Sequence, residues 1–361
     1  MPVAVDVVTG PSPPSYTLEI VRRLPPEANP VILPAKGYGA SAIGIAYRLA
    51  DHPMRVRRSR RAGAILHVDS QLLAYVLAAR MAPPKVLTVY DIVPFQPEYD
   101  DPSYVSRRGL LNGLFYQRLA RGLRAADRII AVSDYTRGEL LRMGLDASRI
   151  DVIPMGVDLK VFRPRTPEDC RAVRAKYGIP DGPPVVLYVG TEHPRKNLPR
   201  LFRAFAGLGV PAILVTVGAP RHPQRDELER LARSLGIAAR VKSVEWVASE
   251  DLPGLYGAAA VLVLPSLTEG FGLPPLEAMA CNTPVAVSNT GSLPDVVGDA
   301  GVLFDPRDEA GMAESIRRVL ADSSLRDELR ARGRSRAANF PWEATVHGVL
   351  RTYRAALLAT G

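Results

Sequence analysis

Short runs of β-branched and aliphatic residues recur along the whole chain, and each is followed by a longer stretch with helical spacing of its apolar positions. In the first half the runs predict strands over 3–8, 30–33, 64–68, 86–90, 128–132 and 151–153. The pattern restarts near residue 183 and predicts strands over 185–189, 212–217, 241–244, 261–264, 284–287 and 302–304. Strands alternating with helices are the mark of parallel sheets covered on both faces, so the fold class expected is α/β, with two doubly wound, Rossmann-like domains. Between the two sets, residues 154–184 are rich in Pro and Gly around one helix near 168–177, which marks a boundary. The chain ends in an amphipathic helix over 342–358 with Val346, Val349, Leu350, Tyr353 and Leu357 on one face, which needs a surface to cover. The organisation expected is therefore 1–165 as an N-terminal domain, 166–341 as a C-terminal domain, and 342–361 as a helix packing back on the first.

Length agrees with this division, since 361 residues exceed one ordinary core. Hydrophobic residues make up 47% and charged residues 23%, and no apolar run reaches the roughly 18 to 20 residues that span a bilayer. The opening MPVAVDVVTG reads as a first strand and lacks the regions of a secretory signal, so a cytoplasmic location is expected. Cys170 and Cys281 have no metal-ligand spacing and are not expected to form a disulfide there.

Charge adds an asymmetry. Lys and Arg outnumber Asp and Glu by 23 to 15 in residues 1–165, which places +8 of the net +9 in that half. The densest cluster is Arg55, Arg57, Arg58, Arg60 and Arg61, suited to anionic lipid head groups or a phosphate-bearing acceptor, or simply solvated. No nucleic acid partner is expected, because no binding motif or interleaved aromatic residue accompanies the charge. A peripheral contact with an anionic inner membrane face is the partner this balance suggests.

Candidate chemistry lies at strand ends in the second half. After the strand over 261–264 comes Pro265 to Cys281, which contains Glu269, Gly270, Phe271, Gly272, Leu273 and Glu277. A glycine-bearing turn that opens a helix offers backbone amides and a partial positive charge to an anion. Gly270 and Gly272 let a phosphate or a sugar hydroxyl approach the backbone. Two carboxylates flanking such a phosphate suit two polyols, a ribose and a hexose. The strand over 185–189 is followed by Gly190, Thr191, Glu192, His193, Pro194, Arg195, Lys196 and Asn197. An adjacent guanidinium and ammonium suit the charge and the many oxygens of a diphosphate.

These residues resemble glycosyltransferase family 4, whose E-x7-E signature matches Glu269 to Glu277. The likeness extends over nearly all of 183–358, through Gly190, Pro194 to Asn197, Leu255 with Tyr256, Ala280 to Val287, Gly291 to Pro294, Asp305 with Pro306, and Trp342. The resemblance implies the GT-B architecture of two facing Rossmann-like domains. It also implies a retaining transferase that moves a hexose from a UDP- or GDP-sugar to a saccharide acceptor, and the basic first half adds a polyprenyl-linked saccharide as an acceptor to expect. It further implies that Glu277 binds the ribose, Glu269 faces the transferred sugar, Arg195 and Lys196 clamp the diphosphate, and the amides of 271–273 hold the sugar and distal phosphate. Gly190 and Thr191 join that donor set. The family needs no metal and no cofactor beyond the nucleotide sugar, and works by front-face attack. The adjacent pair Asp100 and Asp101 does not form the D-x-D element of metal-dependent relatives.

The first half departs from the family. A Pro-rich Gly10 to Tyr16 replaces its glycine-rich first loop, and Tyr90 with Asp91 replaces its His-Asp pair. A tyrosine can hydrogen-bond a hydroxyl but is no base near neutral pH. Asp91, Tyr90 and His67 are the acceptor-side candidates, with Asp91 also counted as catalytic, against loop capping for Asp91 and a buried role for His67. Asn282 stands where the family has glycine, and Asn tolerates a left-handed backbone. Two other readings compete with the transferase: a catalytically silent scaffold subunit, and a sugar-nucleotide epimerase or phosphorylase on the same architecture.

Overall fold

A computed structural model of the protein describes residues 4–10, 15–35, 44–45, 47–96, 110–219 and 224–359. The Pro-rich segment 11–14 and the pair Asp100 and Asp101 lie outside the described residues. Contacts group Met1–Pro154 with Glu343–Gly361 in one unit and Met155–Trp342 in another.

Unit 1 holds a six-stranded sheet of β1 (Val5–Thr9), β2 (Val31–Pro34), β3 (Ile65–Val68), β4 (Lys85–Val89), β5 (Arg128–Ala131) and β6 (Ile150–Val152). Its order is β2-β1-β3-β4-β5-β6, and all pairs are parallel. Unit 2 holds β7 (Val185–Val189), β8 (Ile213–Val217), β9 (Val241–Val244), β10 (Val261–Leu264), β11 (Val285–Ser288) and β12 (Gly301–Phe304). Its order is β12-β11-β10-β7-β8-β9, again parallel. Each strand expected from the hydrophobic pattern lies on one of these twelve.

Central strands such as β1, β3, β10 and β11 are buried along their length, while the edge strands β2, β9 and β12 are partly exposed. That is the burial expected of a parallel sheet covered on both faces. In each sheet the connections reverse direction between two neighbouring strands, β1 and β3 in unit 1 and β7 and β10 in unit 2. Ligands of open α/β sheets bind outside the carboxyl ends of the strands at such a point.

The last helix, Trp342–Leu358, buries Val346, Val349, Tyr353 and Ala356. It is fastened within unit 1: Thr345 Oγ1 donates to Pro154 O at 2.9 Å, Thr352 Oγ1 to Asp151 Oδ2 at 2.7 Å, and Gly348 leaves room for Ile153. Two of the five clustered arginines serve the amino ends of the unit 1 strands. Arg61 Nε donates to the buried Asp6 Oδ1 at 2.7 Å and its Nη2 to Val5 O and Asn29 O, and Arg60 Nη2 donates to Ala64 O at 2.7 Å.

Candidate active site

The two motif segments of unit 2 leave the carboxyl ends of neighbouring strands, β7 and β10, and are tied together. Leu267 N donates to Arg195 O at 2.8 Å, and Asn197 Nδ2 donates to Pro265 O at 3.0 Å and Pro306 O at 2.7 Å. Asn197 adopts a left-handed φ of 62°, which turns the chain from the short helix Pro194–Lys196 into the helix Leu198–Ala206. Gly218 packs on Gly190: a Cβ there would lie 2.0 Å from Gly190 O, so no larger residue fits. The Thr191 side chain is exposed, and its carbonyl accepts the Tyr188 hydroxyl at 2.7 Å.

Glu269 is the centre of this arrangement. It is 7% exposed, accepts Arg195 Nη1 on Oε2 at 2.9 Å, and on Oε1 accepts Lys196 Nζ at 2.5 Å and Ser266 Oγ at 2.6 Å. Burial pushes its carboxyl up, but the Lys196 and Arg195 charges overcome this and hold it at about 2. Arg195 Nη1 also reaches Thr268 O at 3.0 Å. Two cations thus share one carboxylate. Glu269 is the anchor that fixes them in place, a part that the resemblance, which has it facing the sugar, did not assign.

The turn after Glu269 is braced from behind. Ser292 N donates to Glu269 O at 3.1 Å, and its hydroxyl lies 2.5 Å from Phe271 O. Gly291 is needed there, because a Cβ would sit 2.7 Å from both Glu269 N and O. Gly272 has φ 123° and precedes the helix Leu273–Ala280, whose second and third residues are Pro274 and Pro275. Those prolines have no N–H, so the backbone donors at this helix start come from the turn and the first helical residue rather than from deeper in the helix. The amides of Phe271, Gly272 and Leu273 have no acceptor among the described residues.

One helical turn on, Glu277 is partly buried, and its Oε2 accepts the Tyr256 hydroxyl at 2.7 Å. Burial pushes its carboxyl up to about 7, opposed by that hydrogen bond. Tyr256 is itself held by Thr283, whose hydroxyl donates to Tyr256 O at 2.7 Å. Asn282, beside it, has φ 67°, the left-handed backbone that Asn accepts in place of glycine.

Unit 1 carries different groups beyond the carboxyl ends of β3 and β4. Asp91 Oδ1 accepts Gln71 Nε2 at 2.9 Å and Val93 N at 3.1 Å, which caps the loop after β4, and Gln71 Oε1 accepts Tyr90 N at 3.1 Å. Tyr90 is partly exposed and meets Tyr16 edge-on at 6.0 Å. His67 does not belong with them. It is buried, with Nδ1 2.8 Å from the Tyr353 hydroxyl and Nε2 2.8 Å from Thr88 Oγ1, and burial pushes its ring down to about 4. Its expected acceptor contact is therefore corrected: both ring nitrogens are spent joining the sheet to the last helix.

Sequence reasoning passed over Asp69. It is 2% exposed at the end of β3, its N bonded to Val8 O at 3.1 Å across the reversal point. Thr17 Oγ1 donates to its Oδ2 at 2.6 Å, while Oδ1 has no partner among the described residues. Burial pushes its carboxyl up to about 6, opposed by the hydrogen bonds from Thr17 and its own backbone N–H. The available signal was weak: a lone Asp directly after a strand, with a threonine far back in the first turn of the helix Ser15–Arg23.

Comparison with known proteins fits this geometry. The family model described as Glycosyl transferases group 1 matches residues 169–336, and that of Glycosyltransferase Family 4 matches residues 2–161. An O-antigen chain mannosyltransferase B of Escherichia coli is 35% identical over 275 residues, 74% of this chain and 70% of that protein. A D-inositol 3-phosphate glycosyltransferase of Salinispora arenicola is 38% identical over 65% of this chain, which spans only 56% of that relative's length. In fold, the chain is similar to sucrose-phosphate synthase from Thermosynechococcus elongatus, with a TM-score of 0.80, 24% identity and coverage of 99% and 100% of the two chains. It is likewise similar to Anabaena HepE solved with UDP and glucose, with a TM-score of 0.78, 21% identity and coverage of 97% and 100%. The chain belongs to glycosyltransferase family 4 and is a glycosyltransferase of GT-B type.

Proposed function

We propose that the protein is a retaining hexosyltransferase that takes its sugar from a UDP- or GDP-linked donor and passes it to a saccharide or polyprenyl-linked saccharide. The observation that carries this reading is the Arg195 and Lys196 pair held on Glu269 beside a glycine turn, at the point where the unit 2 sheet reverses. Donor binding follows from the parts. The diphosphate meets Arg195, Lys196 and the amides of 271–273, and the ribose hydroxyls meet Glu277, which Tyr256 orients. The relatives named as a mannosyltransferase and an inositol-phosphate glycosyltransferase, and the HepE structure with UDP and glucose, support a hexose, a polyol or glycan acceptor, and a uridine nucleotide among the donors to try.

Breaking the bond from the anomeric carbon to the phosphate oxygen leaves positive charge on the sugar and negative charge on the diphosphate. The two cations and the turn amides answer the second charge, in a buried setting where such preorganised groups act strongly. The reaction needs neither metal nor further cofactor in this reading, since fixed cations do that work. The acceptor hydroxyl attacks from the face the phosphate leaves, and its proton passes to the departing phosphate, so the sugar configuration is retained. Tyr90 and Asp91 are the acceptor-side candidates, with Asp69 behind them. The compartment that suits a lipid-linked acceptor is the cytoplasm, at the inner membrane face. Incubation with UDP-, GDP- and dTDP-sugars tests the reading: one donor should stabilise the protein against heat and be slowly hydrolysed, and indifference to all of them would sink it.

A further inference from the structure

Two helices of unit 1 carry charge of one sign only. His52–Ser59 contains Arg55, Arg57 and Arg58, Leu110–Ala125 contains Arg118, Arg121 and Arg124, and neither contains an acidic residue. The two lie in one outer layer. The segment Gln71–Ala79 packs on β3 and β4, and both helices pack over it, burying Leu73, Ala74, Tyr75, Val76 and Leu77. The cover is close, because a Cβ on Gly122 would lie 1.8 Å from Ala74 O. The segment Tyr47–Asp51, which leads into the first of these helices, is tied to the second, where the Arg48 guanidinium sits 5.5 Å from the centre of the Phe115 ring.

Their outward side is cationic with apolar residues among the charges. Arg55, Arg57, Arg58, Arg121 and Arg124 are exposed, and so are Met54, at 48%, and Leu114, at 44%. Asp51 is paired to Arg55 at 2.6 Å. Arg60 and Arg61, by contrast, are consumed by the strand ends, so the sequence cluster at 55–61 overstates its own contribution while the helix at 110–125 supplies the rest. Solvation alone accounts for arginines but not for large apolar side chains standing exposed between them.

We propose that this two-helix layer is a docking surface for an anionic lipid bilayer, with Arg57, Arg58 and Arg121 on the head groups and Met54 and Leu114 at the acyl boundary. Charge complementarity favours the bilayer, and the exposed apolar residues distinguish it from a nucleic acid, which offers them nothing. The proposal carries the inner-face placement further and needs no sugar donor, so its failure and that of the donor reading are separable.

Flotation of the full chain with vesicles of phosphatidylcholine alone, and with about one third phosphatidylglycerol, tests it. Binding should appear only with the anionic lipid, weaken with salt, and fall roughly 100-fold in R57E/R58E/R121E. A matched reversal in unit 2, R171E/R230E/R233E, should leave binding within about twofold, as its arginines lie elsewhere. Leu114→Asp should weaken binding while keeping all the arginines. Equal loss in both triple variants, binding to the neutral vesicles, or full binding by Leu114→Asp would overturn the proposal. So would tighter binding to a duplex DNA probe with the same dependence on Arg57, Arg58 and Arg121.

Discussion

Each unit buries a carboxylate at the point where its sheet reverses direction, and the two are driven in opposite ways. Glu269 in unit 2 is 7% exposed and lies at about 2, while Asp69 in unit 1 is 2% exposed and lies at about 6. Burial raises both. The difference is company: Lys196 and Arg195 hold Glu269 charged, whereas Asp69 has, among the described residues, the Thr17 hydroxyl and its own backbone N–H. The same architecture thus yields a permanent anion that organises cations in one unit, and in the other a carboxyl that changes charge near neutral pH.

The largest effect is expected on the cations. Arg195→Ala should lower donor turnover about 100- to 1,000-fold with little change in nucleotide affinity, read by single-turnover kinetics. Equal turnover would remove its leaving-group role. Glu269→Ala should leave the two cations side by side without their anion and cost about 3 to 5 kcal/mol in a denaturant titration at pH 7. Because the folded-state value lies below the ordinary one of 4.5, that contribution is present above about pH 4.5 and is lost as pH falls toward about 2. The gap between the variant and the parent should therefore narrow in acid, and a gap constant with pH would show that the charge is not the cause.

Glu277 tests the comparison from a third position. A ribose diol donates to a carboxylate, so nucleotide affinity should rise between about pH 6 and 8 as a group at about 7 loses its proton. Glu277→Ala should weaken UDP or GDP about tenfold, a loss on the scale of one hydrogen bond to a charged group, and abolish that rise, both by calorimetry. The smallest effect is on Asp69. Its raised value means that stability is lost as pH climbs from 3.8 to about 6 and stays lost above. Asp69→Asn should raise the melting temperature by a few degrees at about pH 8 and by little near pH 4. A uniform shift at both would contradict an uncompensated charge.

Period and composition made the fold legible, because a parallel strand buried on both faces must be apolar throughout, as in Val261–Leu264 and Val285–Ser288. The segments 190–197 and 265–281 stood out as well, since their glycines, prolines and charges sit in unbroken runs. What could not be read was pairing at a distance. Nothing in the spacing says that Arg195 and Lys196 meet Glu269, because that contact exists only once β7 and β10 are neighbours. His67 failed for the same reason: its partner Tyr353 lies 286 residues on. Asp69 has no motif around it, and what marks it is a buried oxygen without a donor among the described residues, a property of packing.

The last helix carries a practical consequence. His67, Asp151, Ile153 and Pro154 all receive it, yet it is encoded after the whole of unit 2. A gene fragment ending at residue 154 would yield a sheet with a bare apolar flank and a stranded imidazole, and is expected to aggregate when produced alone. Ribosomal synthesis meets the same obstacle, since the sheet of unit 1 is translated well before the helix Trp342–Leu358 that covers it.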